Sequence, residues 1–136
     1  MFKLIVALMA FSVFGCLATE NDVLSIDRSV NNDVGLYFPN DKNIQPKFSD
    51  FKILNYVLMS NETGERWAVV TLQNLSSGNR VFVDDQLLAL LADGSRISPN
   101  EYKLSVKGSE TVSVTISFGE SKFPILAVYT NHPNDN

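Results

Sequence analysis

The sequence predicts an all-β protein, built as an antiparallel β-sandwich of seven or eight strands. Three observations predict this class. Apolar and polar residues alternate along several short segments, most clearly in residues 111–118 (TVSVTISF). Residues typical of turns, mainly Gly, Asn, Asp and Pro, separate these segments. After the first twenty residues, no segment carries a convincing amphipathic helical pattern. The length of 136 residues fits one domain.

The predicted strands are short and are bounded by turn residues. In chain order they cover residues 24–30, 34–38, 51–59, 67–72, 86–92, 102–106, 111–118 and 125–130. Three of them, 51–59, 67–72 and 125–130, are apolar on both faces and rich in β-branched and aromatic residues. This composition favours central strands over edge strands.

Two local features complete the pattern. Residues 107–110 (KGSE) separate the alternating segments 102–106 and 111–118, which predicts a hairpin turn between them. Residues 86–92 (QLLALLA) are rich in helix-favouring Leu and Ala. This segment is only seven residues long and ends at an Asp-Gly pair, residues 93–94, so we predict a strand.

The first fifteen residues have the layout of a secretory signal peptide. Lys3 supplies one positive charge, and residues 4–14 (LIVALMAFSVF) form an apolar segment in which only Ser12 is polar. These eleven residues are too few to cross about 30 Å of hydrocarbon as a helix. We therefore expect residues 1–15 to be a signal peptide rather than a membrane anchor.

Residues 13–16 (VFGC) resemble the lipobox of bacterial lipoproteins. The Val and the Gly fit that pattern, Phe14 stands where a small residue is usual, and Cys16 is the only cysteine. The resemblance implies that Cys16 is acylated and that the precursor is cleaved before it. Leu17 stands where an Asp often marks retention in the inner membrane, which implies the outer membrane, facing the periplasm. The alternative is cleavage after Ala18, which would give a soluble periplasmic or secreted protein.

Cleavage before Cys16 would define the remaining parts of the chain. Removing residues 1–15 leaves 121 of the 136 residues, and the loss of Lys3 changes the formal net charge from −4 to −5. We expect residues 16–22 to be the lipid-bearing tether, 23–130 the β-sandwich domain and 131–136 a flexible tail. The acyl chains would supply the membrane affinity, because an acidic protein gains nothing from anionic lipids.

The composition argues against several classes of function. Fifteen acidic and eleven basic residues do not form the positive surface that a nucleic-acid-binding protein needs. The only histidine, His132, lies in the predicted tail, where it would lack the fixed partner that catalysis requires. Asp84 and Asp85 are adjacent rather than spaced like calcium ligands, which favours a solvated turn. We expect neither an enzyme nor a cofactor or metal site.

The order of four features resembles a known class of domain. An apolar strand at residues 70–76 (VTLQNLS) is followed by an apolar segment ending at residues 93–94 (DG), by residues 108–110 (GSE) and by a strand ending at Phe118. Over roughly residues 51–130 this order resembles the immunoglobulin-like domains of small bacterial secreted proteins and lipoproteins. The resemblance implies an immunoglobulin-like sandwich without catalytic residues, which acts as a binding module.

Trp67 is the only tryptophan and begins the predicted strand 67–72. Within a sandwich, the favoured interpretation is that it packs in the core. The functional alternative is an aromatic anchor at a protein interface, where Trp and Tyr concentrate binding energy. Tyr37 and Tyr56 would then join Trp67 in a possible interaction surface. The sequence leaves open which face each of them occupies.

Two functions are compatible with this sequence. The first is a non-enzymatic lipoprotein of the cell envelope, anchored to the membrane by its lipid, that binds a protein partner. The second is an inhibitor or scavenger of a cationic protein such as lysozyme, toward which a charge of −5 would steer the domain. The lysozyme-inhibitor lipoproteins generally carry a pair of cysteines that this chain lacks, so we rank the first function higher.

Overall fold

The computed structural model describes residues 23–30, 38 and 44–133. Within them the chain forms nine β-strands and one 3₁₀ turn, Asp84–Gln86, and no helix in this part is long and apolar enough to cross a membrane. The strands are β1 (Ser25–Val30), β2 (Phe51–Ser60), β3 (Glu65–Asn74), β4 (Arg80–Val83), β5 (Leu88–Leu91), β6 (Arg96–Ile97), β7 (Lys103–Val106), β8 (Thr111–Glu120) and β9 (Ile125–Tyr129). Apart from Phe38, the predicted strand 34–38 lies outside the described residues.

The named strands form three antiparallel sheets. Their orders are β1-β2-β3-β8, β4-β7 and β6-β5-β9. One hydrophobic core joins them, with Phe51 from β2, Phe82 from β4 and Val128 from β9 among its members. The rings of Phe51 and Phe82 meet edge to face, 5.2 Å between centroids. The core therefore lies between the four-stranded sheet and the two smaller sheets, which confirms the predicted all-β sandwich.

Strand β8 follows the predicted alternation closely. Val114, Ile116 and Phe118 are buried against the core, whereas Thr111 and Ser113 are exposed on the opposite face. Side chains of a strand point alternately to the two faces of its sheet, so a period of two is expected where one face is buried. The four-stranded sheet thus has an inner face on the core and an outer face away from it.

The predicted hairpin at residues 107–110 is wrong. The Glu110 N–H does donate to the Lys107 carbonyl oxygen at 3.1 Å, so a turn is present. However, β7 pairs with β4, and β8 pairs with β3. The turn therefore connects two different sheets, and long-range contacts rather than local turn chemistry decide the pairing.

Other strand predictions differ in part. Strands β4 and β6 escape the sequence patterns because four and two residues are too short to establish a period. The segment 125–130 is predicted to be central, but β9 lies at the edge of its sheet within the described part of the chain. Beyond the end of β9, the loop before β2 supplies a partner, because the Ser49 N–H donates to the Asn131 carbonyl oxygen at 2.9 Å.

The predicted flexible tail begins inside the packed domain, which corrects the boundary set at residue 131. Asn131 forms a parallel bridge with Phe48, and its side-chain amide donates to the Pro46 carbonyl oxygen at 3.4 Å. His132 is 9% exposed. Hydrogen bonds to the loop before β2 therefore hold Asn131 in place, although composition alone assigns it to a solvated tail. Residues 134–136 lie outside the described part.

A buried asparagine connects the two sides of the sandwich. Asn74, at the end of β3, is fully buried, and its side-chain Nδ2 lies within 3.0 to 3.3 Å of the carbonyl oxygens of Gly78, Val106 and Lys107. Its Oδ1 accepts the Ser76 N–H at 2.9 Å. One amide thus satisfies backbone groups of both the β3–β4 loop and the β7–β8 turn, which buried polar groups require.

A close backbone contact accompanies this network. A Cβ atom added to Gly108 would lie 2.0 Å from the Ser77 carbonyl oxygen, which no side chain tolerates. The Ser109 N–H donates to the Ser76 carbonyl oxygen at 2.8 Å in the same place. The β7–β8 turn therefore packs directly on the β3–β4 loop.

We expect Asn74→Ala to lower the free energy of unfolding by about 2 to 4 kcal/mol, because several buried backbone groups lose their partner. Asn74→Asp should be at least as costly, since a carboxylate cannot donate to carbonyl oxygens. The neighbouring Gln73→Ala, on the outer face, should change stability by less than about 0.5 kcal/mol. Urea unfolding of the three variants tests this. Equal stabilities for Asn74→Ala and Gln73→Ala would contradict the assigned role.

Candidate interaction surface

Trp67 lies on the outer face of the four-stranded sheet, which corrects the favoured interpretation of core packing. In β3, the apolar residues Ala68, Val70 and Leu72 have no measurable exposure, whereas Trp67 is half-buried. Because alternate residues of a strand face opposite sides, Trp67 shares its face with Val69 and not with the core residues. The functional alternative, an aromatic anchor at a protein interface, stays a prediction.

Apolar neighbours surround Trp67 on this outer face. Met59 of β2 is its register partner, and Ile26 of β1 is the register partner of Met59. Two residues further along the same two strands, Val57 pairs with Val69. Ile26 is 69% exposed and the other four side chains are half-buried. We name these five residues, Ile26, Val57, Met59, Trp67 and Val69, the Trp67 patch.

Hydroxyl residues of β8 border the Trp67 patch. Ser117 is the register partner of Trp67, and Thr115 is that of Val69. Next in register, the hydroxyl groups of Thr71 and Ser113 are hydrogen-bonded at 2.7 Å. An apolar centre with a polar border, free of charged side chains at these positions, is the usual composition of a protein-binding surface.

The indole nitrogen of Trp67 adds a polar group to the patch. Its Nε1 is buried and has no hydrogen-bond partner within the described part of the chain. A buried Trp N–H normally finds an acceptor, and an unsatisfied donor costs about 1 to 3 kcal/mol.

The other predicted surface residues do not join Trp67 in the structure. Tyr56 is 3% exposed and packs in the core, on the opposite face of the sheet from Trp67. The bulge between Ile53 and Asn55 shifts the alternation of β2 and places Tyr56 inward. Tyr37 and the predicted lipidation site Cys16 lie outside the described residues.

The sequence patterns miss most of the Trp67 patch, although a signal for it exists. Thr71 and Gln73 are the polar positions of β3, and counting back from them by two reaches Val69 and Trp67. This count assigns Trp67 to the polar, outward face. Ile26 and Met59 could not be found in this way, because their places in the patch depend on the register of β1, β2 and β3.

A separate groove lies beside β9. It encloses about 490 Å³ and is lined by Gln45, Ile53, Val128, Tyr129, Thr130, Asn131 and His132. Nothing in this lining set provides a carboxylate beside the histidine. Across the described ranges, no three His, Cys, Asp or Glu residues are grouped closely enough to hold a metal ion.

The acidic side chains singled out in the sequence occupy turns. Asp84 and Asp85 form the 3₁₀ turn after β4. Hydrogen bonds from the Ser95 hydroxyl at 2.6 Å and the Ser95 N–H at 3.1 Å hold the pKa of Asp93 below its ordinary value. A lowered pKa in the folded state stabilises this β5–β6 turn at neutral pH, and the contribution is lost as the pH falls through that pKa.

Comparisons with protein-family models, with curated protein sequences and with solved structures give no match for this chain. The immunoglobulin-like and lipoprotein resemblances consequently remain expectations from the sequence.

We expect Trp67→Thr to lower the free energy of unfolding by less than about 1.5 kcal/mol, because a half-buried outer-face side chain leaves no core cavity. Phe82→Ala, in the core, should cost about 3 to 5 kcal/mol. Urea unfolding of both variants makes the comparison. A cost for Trp67→Thr equal to that of Phe82→Ala would mean that Trp67 is a core residue after all.

Proposed function

We propose that this protein is a non-enzymatic lipoprotein of the bacterial cell envelope that binds another envelope protein through the Trp67 patch. The observation that carries the proposal is the position of Trp67 on the outer face, surrounded by Ile26, Val57, Met59 and Val69. Trp is the residue type most enriched among the side chains that dominate protein–protein binding. Contiguous apolar surface on a small domain often marks an interaction site.

The order of the chain supports a partner in the same envelope compartment. Strand β1 begins at Ser25, nine residues after the lipobox cysteine, Cys16. A fully extended segment of that length spans about 30 Å at most. Acylation of Cys16 would therefore keep Ile26, at one end of the Trp67 patch, close to the membrane surface. Leu17, which follows the predicted lipobox where an Asp often marks retention in the inner membrane, would direct that surface to the outer membrane, facing the periplasm.

The charge distribution favours an uncharged interface over a cationic target. The described residues contain ten acidic and nine basic side chains, a net charge of −1. Most of the acidic excess of the chain thus lies outside the described residues. Electrostatic steering toward a protein such as lysozyme would need a negative surface next to the binding residues. Trp67 and its neighbours instead offer apolar side chains.

Capture from the native envelope tests the proposal. The full-length protein, cross-linked in cells and purified with its membrane, should carry a stoichiometric protein partner. Trp67→Thr should reduce recovery of that partner at least tenfold, because it removes the central aromatic contact. Val81→Thr is the matched control: Val81 is 41% exposed on β4, outside the four-stranded sheet, and its replacement should leave recovery unchanged.

Four outcomes would contradict different parts of the proposal. Absence of a partner, or equal recovery with Trp67→Thr, would remove the interaction surface. Protection of cell-wall substrate from lysozyme at micromolar protein would favour the inhibitor function instead. The intact mass of the captured protein should begin at Cys16 with added acyl groups. A mass beginning at Thr19 would replace the lipoprotein with a soluble form.

A further inference from the structure

Strand β8 is an edge of the four-stranded sheet within the described part of the chain. Residues 111–118 of this strand contain no charged residue, no proline and no glycine. Natural proteins usually protect edge strands by charged side chains, proline, bulges or a covering segment, because an open edge pairs readily with another strand. The edge formed by β8 lacks the first two protections over eight residues, which makes it a candidate pairing site.

The direction of the backbone groups along β8 follows from two hydrogen bonds. The Glu110 carbonyl oxygen accepts the N–H of Asn74 on β3, so even-numbered residues point their backbone groups toward β3. The Ser117 carbonyl oxygen instead accepts the Asn100 N–H at 2.9 Å, on the side away from β3. These directions alternate along an antiparallel strand. The backbone groups of Thr111, Ser113 and Thr115 therefore point outward.

The stretch of β8 whose outward backbone groups lack a partner among the described residues has a definite length. No described residue makes a backbone hydrogen bond to the outer side of Thr111, Ser113 or Thr115, whereas Asn100 closes the same side of Ser117. The open edge thus comprises three outward-pointing residues, with Ser113 at its centre. At the other end it is limited by the turn residue Ser109, whose φ of 61° takes it out of the strand conformation.

We propose that two copies of this chain pair antiparallel along β8, with Ser113 on the two-fold axis. In this register Ser113 faces Ser113 of the second copy, and Thr111 faces Thr115. All three outward positions of each copy are then used, forming about six backbone hydrogen bonds. The pairing ends beyond Thr115, because Asn100 occupies the outward side of Ser117 and Ser109 leaves the strand conformation.

The side chains of β8 fit a second copy better than they fit a charged partner. Like charges directly opposite each other destabilise a strand pair. Here the residues that meet are Thr111, Ser113 and Thr115, which are uncharged and exposed on the outer face. The added strand extends the sheet in its own plane, so the Trp67 patch stays open in both copies. This pairing is independent of the protein partner proposed above.

Disulfide cross-linking in native membranes tests the pairing and its register. Ser113→Cys in the full-length chain should give a covalent dimer on mild oxidation, because directly opposed residues lie about 5.5 Å apart between Cα atoms. Thr111→Cys alone and Thr115→Cys alone are matched controls on the same strand and face. Their like cysteines would lie roughly 15 Å apart, too far for a disulfide. Cys16 is acylated or removed in either processing route.

The proposed register predicts at least tenfold more dimer for Ser113→Cys than for Thr111→Cys or Thr115→Cys alone. It also predicts that co-expressed Thr111→Cys and Thr115→Cys chains cross-link to each other. This second result does not depend on Ser113, whose hydroxyl bonds to Thr71 and whose loss could affect folding. Equal cross-linking by all three single variants would overturn the proposal. So would the absence of a covalent dimer both from Ser113→Cys and from the co-expressed Thr111→Cys and Thr115→Cys chains.

Discussion

The buried side chain of Asn74 is the contact on which the arrangement of the sandwich depends. It lies at the end of β3 and bonds to carbonyl oxygens of both the β3–β4 loop and the β7–β8 turn. The Asn74 N–H also bonds to Glu110, where β8 begins its pairing with β3. The chain therefore leaves the β4-β7 sheet and returns to the four-stranded sheet at one defined place. The register of β8, and with it the outward direction of its alternate residues, follows from this contact.

That register gives the two faces of the four-stranded sheet different roles. The inner face holds the core, in which Phe51, Tyr56 and Ile116 pack against the two smaller sheets. The outer face carries Trp67 and its apolar neighbours, bordered by the hydroxyl groups of β8. Stability thus depends mainly on the inner face. Near-neutral charge over the described residues is consistent with an interface based on apolar contacts.

The sequence predicts this fold wherever alternation extends over a whole strand. Residues 111–118 show which side of β8 is buried, because each polar position is a hydroxyl residue and each apolar one packs in the core. The hairpin prediction fails because the partner of β8 is decided by the contacts of Asn74 and by the packing of Gly108 on Ser77, which join residues distant in sequence. Likewise, the face that Trp67 occupies is ambiguous in a strand that is apolar on both faces. The inward position of Tyr56 depends on a bulge that no residue pattern predicts.

We propose that the outer face around Trp67 binds a protein in the cell envelope. A photo-cross-linking amino acid in place of Val69, within the otherwise unchanged full-length chain in its native host, tests it most directly. Position 69 lies beside Trp67 on the outer face, and position 81 on β4 serves as the comparison. The account predicts one discrete adduct with another protein from position 69 and none from position 81. No adduct from position 69, or the same adducts from both positions, would contradict it.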